Sequence, residues 1–530
     1  MTRRAYLALD LGTTDLKGGL IEADGTLLAG SRAGYPLDID PATGRAEQDA
    51  ETWWAAVVEV VGRLRAAVPD AEVAAIGIVG QGPTCVATDG DARPTHRIVT
   101  WLDTRSGREA ADLTSATGRS GWSLGIMPIA LRIERQEPSV AARTRWYLTS
   151  WEWIAMRLSG VAASTAPLGH EPVDPNGIAS TGLPIEKLAP KIPTGQVVGG
   201  LRADVAAVLD LVPGTPVVAG SVDAYGSLFG AALLEPGEAL DTGGTSGGFA
   251  VYSDRLVETP GAWVVRAPVA DRWLYGGAMA ATGKAVDWLR EDVFGGAVDL
   301  GTLLDEATAT PPAAEGLVFL PYLAGERSPL WDPTARGAFA GLSLAHGRGH
   351  LMRAVLEAAA LALRHVAAPI VAAGIAVDEL RVSGGPARSP LWNRIKADVM
   401  GVPVVVPAVP ETAVMGAGVI ASVGAGDQSD LAAAMRALVR FTDRLEPDPA
   451  SRPTYDALYD AYVALHPAIA PVVRRLHASL AEAASGAGST GLGSAPAGRQ
   501  ASTTGDGPSP AEEPVTLTAT PGWSRPNHPG

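Results

Sequence analysis

The run Asp10-Leu11-Gly12-Thr13-Thr14-Asp15-Leu16-Lys17 gathers acids, a glycine, two hydroxyls and a lysine in one short stretch. Each residue type has a task at an anion. Gly12 lets backbone approach a bulky group. Thr13 and Thr14 offer hydroxyls and N–H groups to phosphate oxygens, and Lys17 adds a positive charge. Asp10 repels phosphate but can hold the Mg²⁺ that accompanies it. The apolar run before it, from Ala5, reads as a buried strand, so strand, turn and second strand form a phosphate hairpin rather than a P-loop. Alone, it reads more readily as an ordinary Gly-Thr turn between strands. A second copy changes that reading: Ala239-Leu240-Asp241-Thr242-Gly243-Gly244-Thr245-Ser246 repeats the Ala-Leu-Asp-x-Gly start and the hydroxyl pair. One such turn in each half of the chain predicts two related lobes gripping one nucleotide.

The chain has 530 residues, of which 47% are apolar, enough for large cores in two or three domains. Its net charge of −15, from 42 basic and 57 acidic residues, argues against a nucleic-acid partner. A local phosphate site built from backbone N–H groups is compatible with that charge. A single cysteine, Cys85, excludes internal disulfides and cysteine metal clusters and fits a reducing cytoplasm. Thr2-Arg3-Arg4 is basic, but Asp10 and the glycine turn interrupt the apolar run from Ala5, so no signal peptide is expected. The apolar stretch from Ala354 to Val377 contains Glu357, Arg364 and His365, which predicts a core helix rather than a membrane span.

The elements that must position these residues are legible in the pattern. Lys17 to Glu22 and Thr26 to Arg32 flank a turn at Ala23-Asp24-Gly25. Asp49 to Val68 is helical, with Asp49 as N-cap, and Val73 to Val79 is a buried strand. Thr100 to Gly160 reads as irregular and Trp-rich, and Thr165 to Gly199 as mostly loop. Val217 to Gly220 is a strand followed by a short helix over Gly226 to Leu234. The second half offers helices near Lys284 to Phe294, His350 to Ala373 and Ser389 to Met400. Its strands fall at Gly316 to Pro321, Leu380 to Ser383 and Val402 to Val406. Alternating strands and helices predict α/β architecture. The expected division is residues 1–235, 236–480 and a disordered tail, 481–530, rich in Ala, Gly, Ser, Thr and Pro.

The segment Gly325-Glu326-Arg327-Ser328-Pro329-Leu330-Trp331-Asp332-Pro333-Thr334-Ala335-Arg336-Gly337-Ala338-Phe339-Ala340-Gly341-Leu342, continued by His350 to Glu357, resembles the FGGY carbohydrate kinase family. The resemblance spans roughly residues 5 to 425 and looks most xylulokinase-like. It implies a two-lobed actin/hexokinase-like (ribonuclease H-like) ATPase fold with a cleft between the lobes. It also implies ATP and Mg²⁺, a small-molecule sugar or polyol as acceptor, no nucleic-acid or membrane partner, and leaves a homodimer open.

Residue by residue, the resemblance makes Asp223, in a Gly-x-x-Asp-x₆-Gly segment, the catalytic base that accepts a sugar hydroxyl's proton. Spacing alone allows Asp223 to be a helix cap instead. Thr14, Lys17 and Thr245 are expected at the terminal phosphates, with Thr13 and Gly244 beside them and Asp10 at the metal. Gly283 and Asp287 match positions lining the nucleotide cleft, and Gly385 and Ser389 match the adenosine pocket, although each is compatible with an ordinary turn. On the acceptor side Gln81, Gly82, Pro83, Trp101 and Asp103 are expected. An indole supplies an apolar wall and a carboxylate accepts sugar hydroxyls; core packing is the alternative for Trp101. Gly82-Pro83 stands where the glycerol branch has Arg-Glu and the xylulose branch Met-His, and Ala130 stands where the family has a lysine.

Three rival motifs are weak. Gly244-x-Ser246-x-Gly248 has a hydrolase spacing but is followed by strand-like residues rather than a helix. Gly277 to Lys284 lacks the Ser or Thr of a Walker loop. His346 and His350 have no glutamate base between them. The expected reaction is ATP-dependent phosphorylation of a ketopentose such as xylulose. The alternatives are another polyol or sugar (erythritol, ribulose, gluconate, glycerol) or a non-catalytic ATP-gated binding protein.

Overall fold

The computed structural model describes residues 3–165, 174–244, 246–269 and 271–487, with side chains through residue 480. The first apolar run is β1 (Arg3–Leu11), which turns through Gly12 to Thr14 into β2 (Asp15–Glu22) and then β3 (Leu27–Gly34). Helix α1 (Ala50–Ala67) is capped by Asp49, which accepts the Glu51 N–H at 3.0 Å. The chain continues through β4 (Ala71–Gly80), α2 (Ser150–Ser159), β5 (Val197–Gly200), β6 (Pro216–Val218), β7 (Ser221–Val222) and α3 (Asp223–Gly230). These strands form a seven-stranded sheet in the order β5-β6-β4-β1-β2-β3, with β7 on the same edge of β4 as β6.

The second half builds another sheet the same way. Its strands are β8 (Glu238–Asp241), β9 (Gly247–Ser253), β10 (Trp263–Arg266) and β11 (Trp273–Met279), followed after helices α4 (Gly283–Trp288) and α5 (Arg348–Ala372) by β12 (Glu379–Val382). Helix α6 (Pro390–Met400), β13 (Val404–Pro407), α7 (Thr412–Gly424), β14 (Phe441–Leu445) and α8 (Arg452–Ala487) complete it. The sheet order is β10-β11-β9-β8-β12-β13-β14. In both halves the first strand pairs antiparallel with the next and parallel with a later one. Asp10 faces Lys17 and Val79 across the strands, and Asp241 faces Phe249 and Val382. The two aspartates of the repeated motif are thus topological equivalents.

Helix α5 is long and apolar enough to cross a membrane, yet most of it is buried inside the second half. It carries a buried polar cluster: the Arg353 Nε donates to Glu357 Oε1 at 2.8 Å, and Tyr455 on α8 donates to the same oxygen at 3.1 Å. The closing residues of the FGGY-like signature therefore pin α8 onto α5.

Three expectations shift. The 100–160 region is largely helical (Gly107–Thr117, Met127–Gln136, Ser150–Ser159): the first two helices pack into a small core around Leu113, Leu131 and Ile133, and the third buries Trp153, Ile154 and Leu158 in the core of the first sheet. Helix α8 runs on to Ala487, past the boundary placed at 480; residues 488–530 of the expected tail lie outside the described residues. A cut at 235/236 separates the two sheets but not their cores. Val414, Ala417 and Ala421 on α7, with Met435 and Leu438 after it, pack against Tyr6, Ala8 and Val79 of the first sheet.

That crossing is backbone-tight. A Cβ on Gly77 of β4 would stand 2.0 Å from the Ala417 carbonyl oxygen, and one on Gly416 of α7 would stand 1.9 Å from that of Gly226 on α3. Carbonyls cannot rotate away as side chains do. Gly77→Ala is expected to destabilise the protein by about 1–3 kcal/mol in denaturant unfolding, as overpacking does. Gly62→Ala on the solvent face of α1, where nothing lies within 4 Å of the added Cβ, should instead gain up to about 1 kcal/mol.

Candidate active site

Three parallel strands of the first sheet end side by side. Leu11 closes β1 opposite Gly80 of β4, and Gly80 faces Val222 of β7. The next polar side chains along these strand ends are Asp10, Gln81 and Asp223. Ligands of open α/β sheets gather at such carboxyl ends. The turn after β1 is held from several sides. Gly12 N donates to Asp15 O at 3.0 Å, Tyr35 OH donates to Gly12 O, and Gln48 Nε2 donates to Thr13 O at 2.8 Å. Asp15 is ion-paired to Arg32, so its carboxylate is occupied. Thr14 is left exposed and Thr13 partly so.

Asp10 is 6% exposed, and its Oδ1 has no hydrogen-bond partner. Burial pushes its pKa up to about 6; Lys17 opposes that push, and Asp15 and Glu411 add to it. Asp223 opens α3 beyond the end of β7, where its Oδ1 accepts the Ala224 N–H at 2.7 Å. Its pKa is raised to about 7, first by burial and then by the negative charge of Asp10. Burial pulls the Lys17 ammonium down, but Asp10 and Asp15 more than offset this, and its pKa lies above the ordinary lysine value. The site therefore holds two carboxyls near their titration points and one firmly charged cation.

The expected acceptor residues divide. Gln81 is buried; its Nε2 donates to Gln48 Oε1 at 2.9 Å, and its own Oε1 lacks a partner. Trp101 Nε1 donates to Thr13 Oγ1 at 3.1 Å, so the indole leans on the phosphate turn rather than lying in a separate core. Gly82 and Pro83 follow Gln81, joined by a cis peptide bond, and are partly exposed. Asp103 does not face this space. Its side chain is fully buried and accepts from Ala46 N at 3.0 Å and from Arg105 Nε at 2.9 Å, while Arg105 also grips Glu47 at 2.6 Å. The arginine two residues further on in the same motif holds this carboxylate. Ala130 is fully buried on the helix Met127–Gln136.

In the second sheet the turn after β8 contains Gly243 and Gly244 at φ +57° and +105°. Gly283 N, at the start of α4, donates to Gly244 O at 3.1 Å, so these expected residues are brought together. Asp287 lies one turn further along α4. Thr245 lies outside the described residues. Gly385 is exposed, with nothing within 4 Å of where a Cβ would sit. The Ser389 hydroxyl caps α6 by accepting the Trp392 N–H at 3.3 Å.

The segment Pro410 to Thr412 joins the lobes. Pro410 O accepts the Gly384 N–H at 2.7 Å, and Thr412 Oγ1 lies 2.6 Å from Ser383 Oγ at the head of α7. Glu411 between them is ion-paired to Arg388 and adds negative charge near Asp10 and Lys17. Sequence reasoning missed Glu411, Gln48 and Trp122. Trp122 is 55% exposed, with its ring 6.5 Å from that of Trp101. A glutamate just before a helix carries no signal of its own. The two tryptophans, 21 residues apart, fall in the same Trp-rich stretch. Of the rival motifs, Ser246 leads into strand β9 and Gly277 lies inside β11, and no cluster of three or more His, Cys, Asp or Glu placed to hold a metal occurs among the described residues.

The chain matches the FGGY family of carbohydrate kinases, N-terminal domain, over residues 5–230 and the C-terminal domain over 240–425. It is 27% identical to the gluconokinase of Bacillus subtilis, covering 87% of this chain and 95% of the relative. It is 30% identical to the glycerol kinase of Gloeobacter violaceus, over 81% and 90%. The xylulose kinase structure from Rhodospirillum rubrum superposes with a TM-score of 0.73 at 32% identity, over 89% of this chain and 100% of that one. The fold and the matched domains define a carbohydrate kinase, a phosphotransferase that draws on ATP. The chain belongs to the FGGY family.

The raised carboxyls make a stability prediction. A group whose folded pKa lies above its unfolded value of about 3.9 stabilises the fold fully at low pH, and that contribution is lost as pH rises through the folded value. For Asp223 the window runs from about 4 to about 7. Asp223→Asn removes the loss. The variant should unfold near wild-type denaturant concentrations at pH 4 but be more stable than wild type at pH 8. The margin should be at least about 1 kcal/mol, below the full linkage value because water in the cleft screens the charge.

Proposed function

We propose that this kinase transfers the γ-phosphoryl group of ATP to a hydroxyl of a ketopentose such as xylulose, with Asp223 as catalytic base. The observation that carries the reading is a carboxyl raised to about 7, partly open to the cleft and beside a second, buried acid with an unpaired oxygen. Near neutral pH such a group is ionised in a large fraction of molecules yet basic enough to take a proton. The Asp223 carboxylate orients the acceptor hydroxyl and receives its proton as the oxygen attacks phosphorus.

Thr13, Thr14 and Lys17 from the first lobe, and Gly244, Thr245, Gly283 and Asp287 from the second, bind the phosphates. Gly385 and the backbone around Ser389 receive the adenosine. The lobes are residues 1–235 and 236–480, with α7 reaching back across the boundary. Mg²⁺ fits Asp10, whose hard carboxylate oxygen is buried beside the turn without a partner. Bound there with ATP, the ion would neutralise phosphate charge. Closure of the lobes excludes water, so the sugar hydroxyl is the nucleophile in place.

The acceptor is held by Gln81, the backbone of Gly82-Pro83 and the face of Trp101, while Asp103 positions that loop. Relatives are named for gluconate, xylulose and glycerol, so the names leave the acceptor open. Two features favour a neutral sugar of several carbons. Arg105, the guanidinium in the Trp101 loop, is bound by Asp103 and Glu47, which disfavours a carboxylate substrate. Gly82-Pro83 brings no polar side chain, so a small triol would lack partners that a longer substrate finds along its length.

Asp223→Asn should retain ATP binding and lose about 10²-fold or more in kcat, the scale of a positioned base. Near-normal turnover in that variant ends the assignment. In a coupled ADP-release panel of pentuloses, polyols and aldonates, glycerol should fall at least about 10²-fold below the best pentulose or longer polyol in kcat/KM, since unpaired polar groups cost on the order of 1–3 kcal/mol each. Glycerol as the best substrate would overturn the acceptor assignment and leave the kinase reaction standing.

A further inference from the structure

Helix α6 carries two buried polar side chains three residues apart, on one face. Asn393 is 3% exposed, and its Nδ2 donates to the carbonyl of Ala387 at 2.7 Å, inside the turn that follows β12. Lys396 is 1% exposed, and its Nζ lies 2.5 Å from Asp241 Oδ2, at the end of β8. The other oxygen of Asp241 accepts the Gly243 N–H at 3.0 Å. Gly243 is packed so closely that a Cβ there would stand 2.0 Å from Ser383 O. One helix face thus grips both turns to which the nucleotide is assigned: Gly384 to Arg388 through Asn393, and Asp241 to Gly244 through Lys396.

The repeat sharpens this. Asp241 is the structural counterpart of Asp10, yet the two are treated differently. Asp10 keeps a buried oxygen with no partner. Asp241 is answered by a lysine from a separate helix, since its own cross-strand neighbour is Phe249 where Asp10 has Lys17. An unpaired carboxylate at Asp241 would sit beneath a turn that must receive an anion.

We propose that Lys396 is a positioning residue for the nucleotide: by neutralising Asp241 it holds the phosphate turn at a fixed spacing from the adenosine turn and keeps a second acid from opposing the triphosphate. Lys396 touches neither substrate; it acts through the Asp241–Gly243 backbone. The inference rests on the assignment of the second lobe to the nucleotide.

The test measures KM for MgATP and for the best acceptor separately. Lys396→Met leaves Asp241 buried and unpaired. It should raise the ATP KM by about 10-fold or more while the acceptor KM stays within about twofold. Lys396→Met with Asp241→Asn removes both charges and should bring the ATP KM back to within about threefold of wild type. A merely structural lysine predicts equal changes for both substrates and no recovery. If Lys396→Met does not accumulate as folded protein, Lys396→Gln, which keeps a donor without the charge, is measured in its place with the same split expected. An unchanged ATP KM, a parallel rise in both constants, or no recovery in the double variant overturns the proposal. Gly385→Val, which adds methyls to open space, separates the two levels. If it raises the ATP KM and Lys396→Met does not, the role of Lys396 alone is wrong. If it leaves the ATP KM unchanged, the nucleotide placement fails and the proposal with it.

Discussion

The structure turns on an electrostatic conflict at the end of the first sheet. Two parallel strands on either side of β4, β1 and β7, deliver Asp10 and Asp223 into the same desolvated space, and one lysine stands against them. A fold selected for stability alone would pair or remove such acids, because a buried carboxylate without a partner is costly. Here the cost is retained at the strand ends, where a cation and a proton-bearing hydroxyl would relieve it. Strand register fixes the acids, and the glycine-lined crossing of α7 over β4 and α3 brings the second lobe within reach of them.

The repeated hairpin shows how one motif is tuned to two roles. Both copies place an aspartate at the end of a first strand, flanked by an antiparallel and a parallel partner. In the first copy the acid remains open, raised and partly unpaired. In the second a lysine from α6 closes it. The lobes are related in topology but divided in electrostatics, as the proposed pairing of a metal with the first turn and an anion with the second requires.

Much of this architecture was legible in the sequence. The hairpin turns, the capped α1, the buried α5 and the α/β alternation arise from local patterns that tertiary packing reinforces. The long signature from Gly325 identified the family because it is stitched into the second sheet: Glu326 accepts the Ala280 N–H at 2.8 Å, and Ser328 N donates to Ala278 O at 2.9 Å. What the pattern missed depends on long-range contact. The carboxylate of Asp103 looks free in sequence, but Arg105 folds back on it. That the Ser389 hydroxyl caps the helix after it shows only once the helix is in place. Residues 412–424 read as part of the second half, whereas their apolar faces complete the core of the first. Glu411 acquires its place near Asp10 only through that crossing.

The central claim is that Asp223 is held near neutrality by burial and by Asp10, and that a cation at Asp10 relieves it. The direct measurement is a ¹³C carboxyl NMR titration of Asp223 in the protein alone and with Mg²⁺ and a non-hydrolysable ATP analogue. The account predicts titration near pH 7 in the free protein. It also predicts a shift to lower pH with the metal nucleotide, and the same downward shift in Asp10→Asn without it. Titration near the ordinary aspartate value of about 4 in the free protein, unmoved by either change, would contradict it.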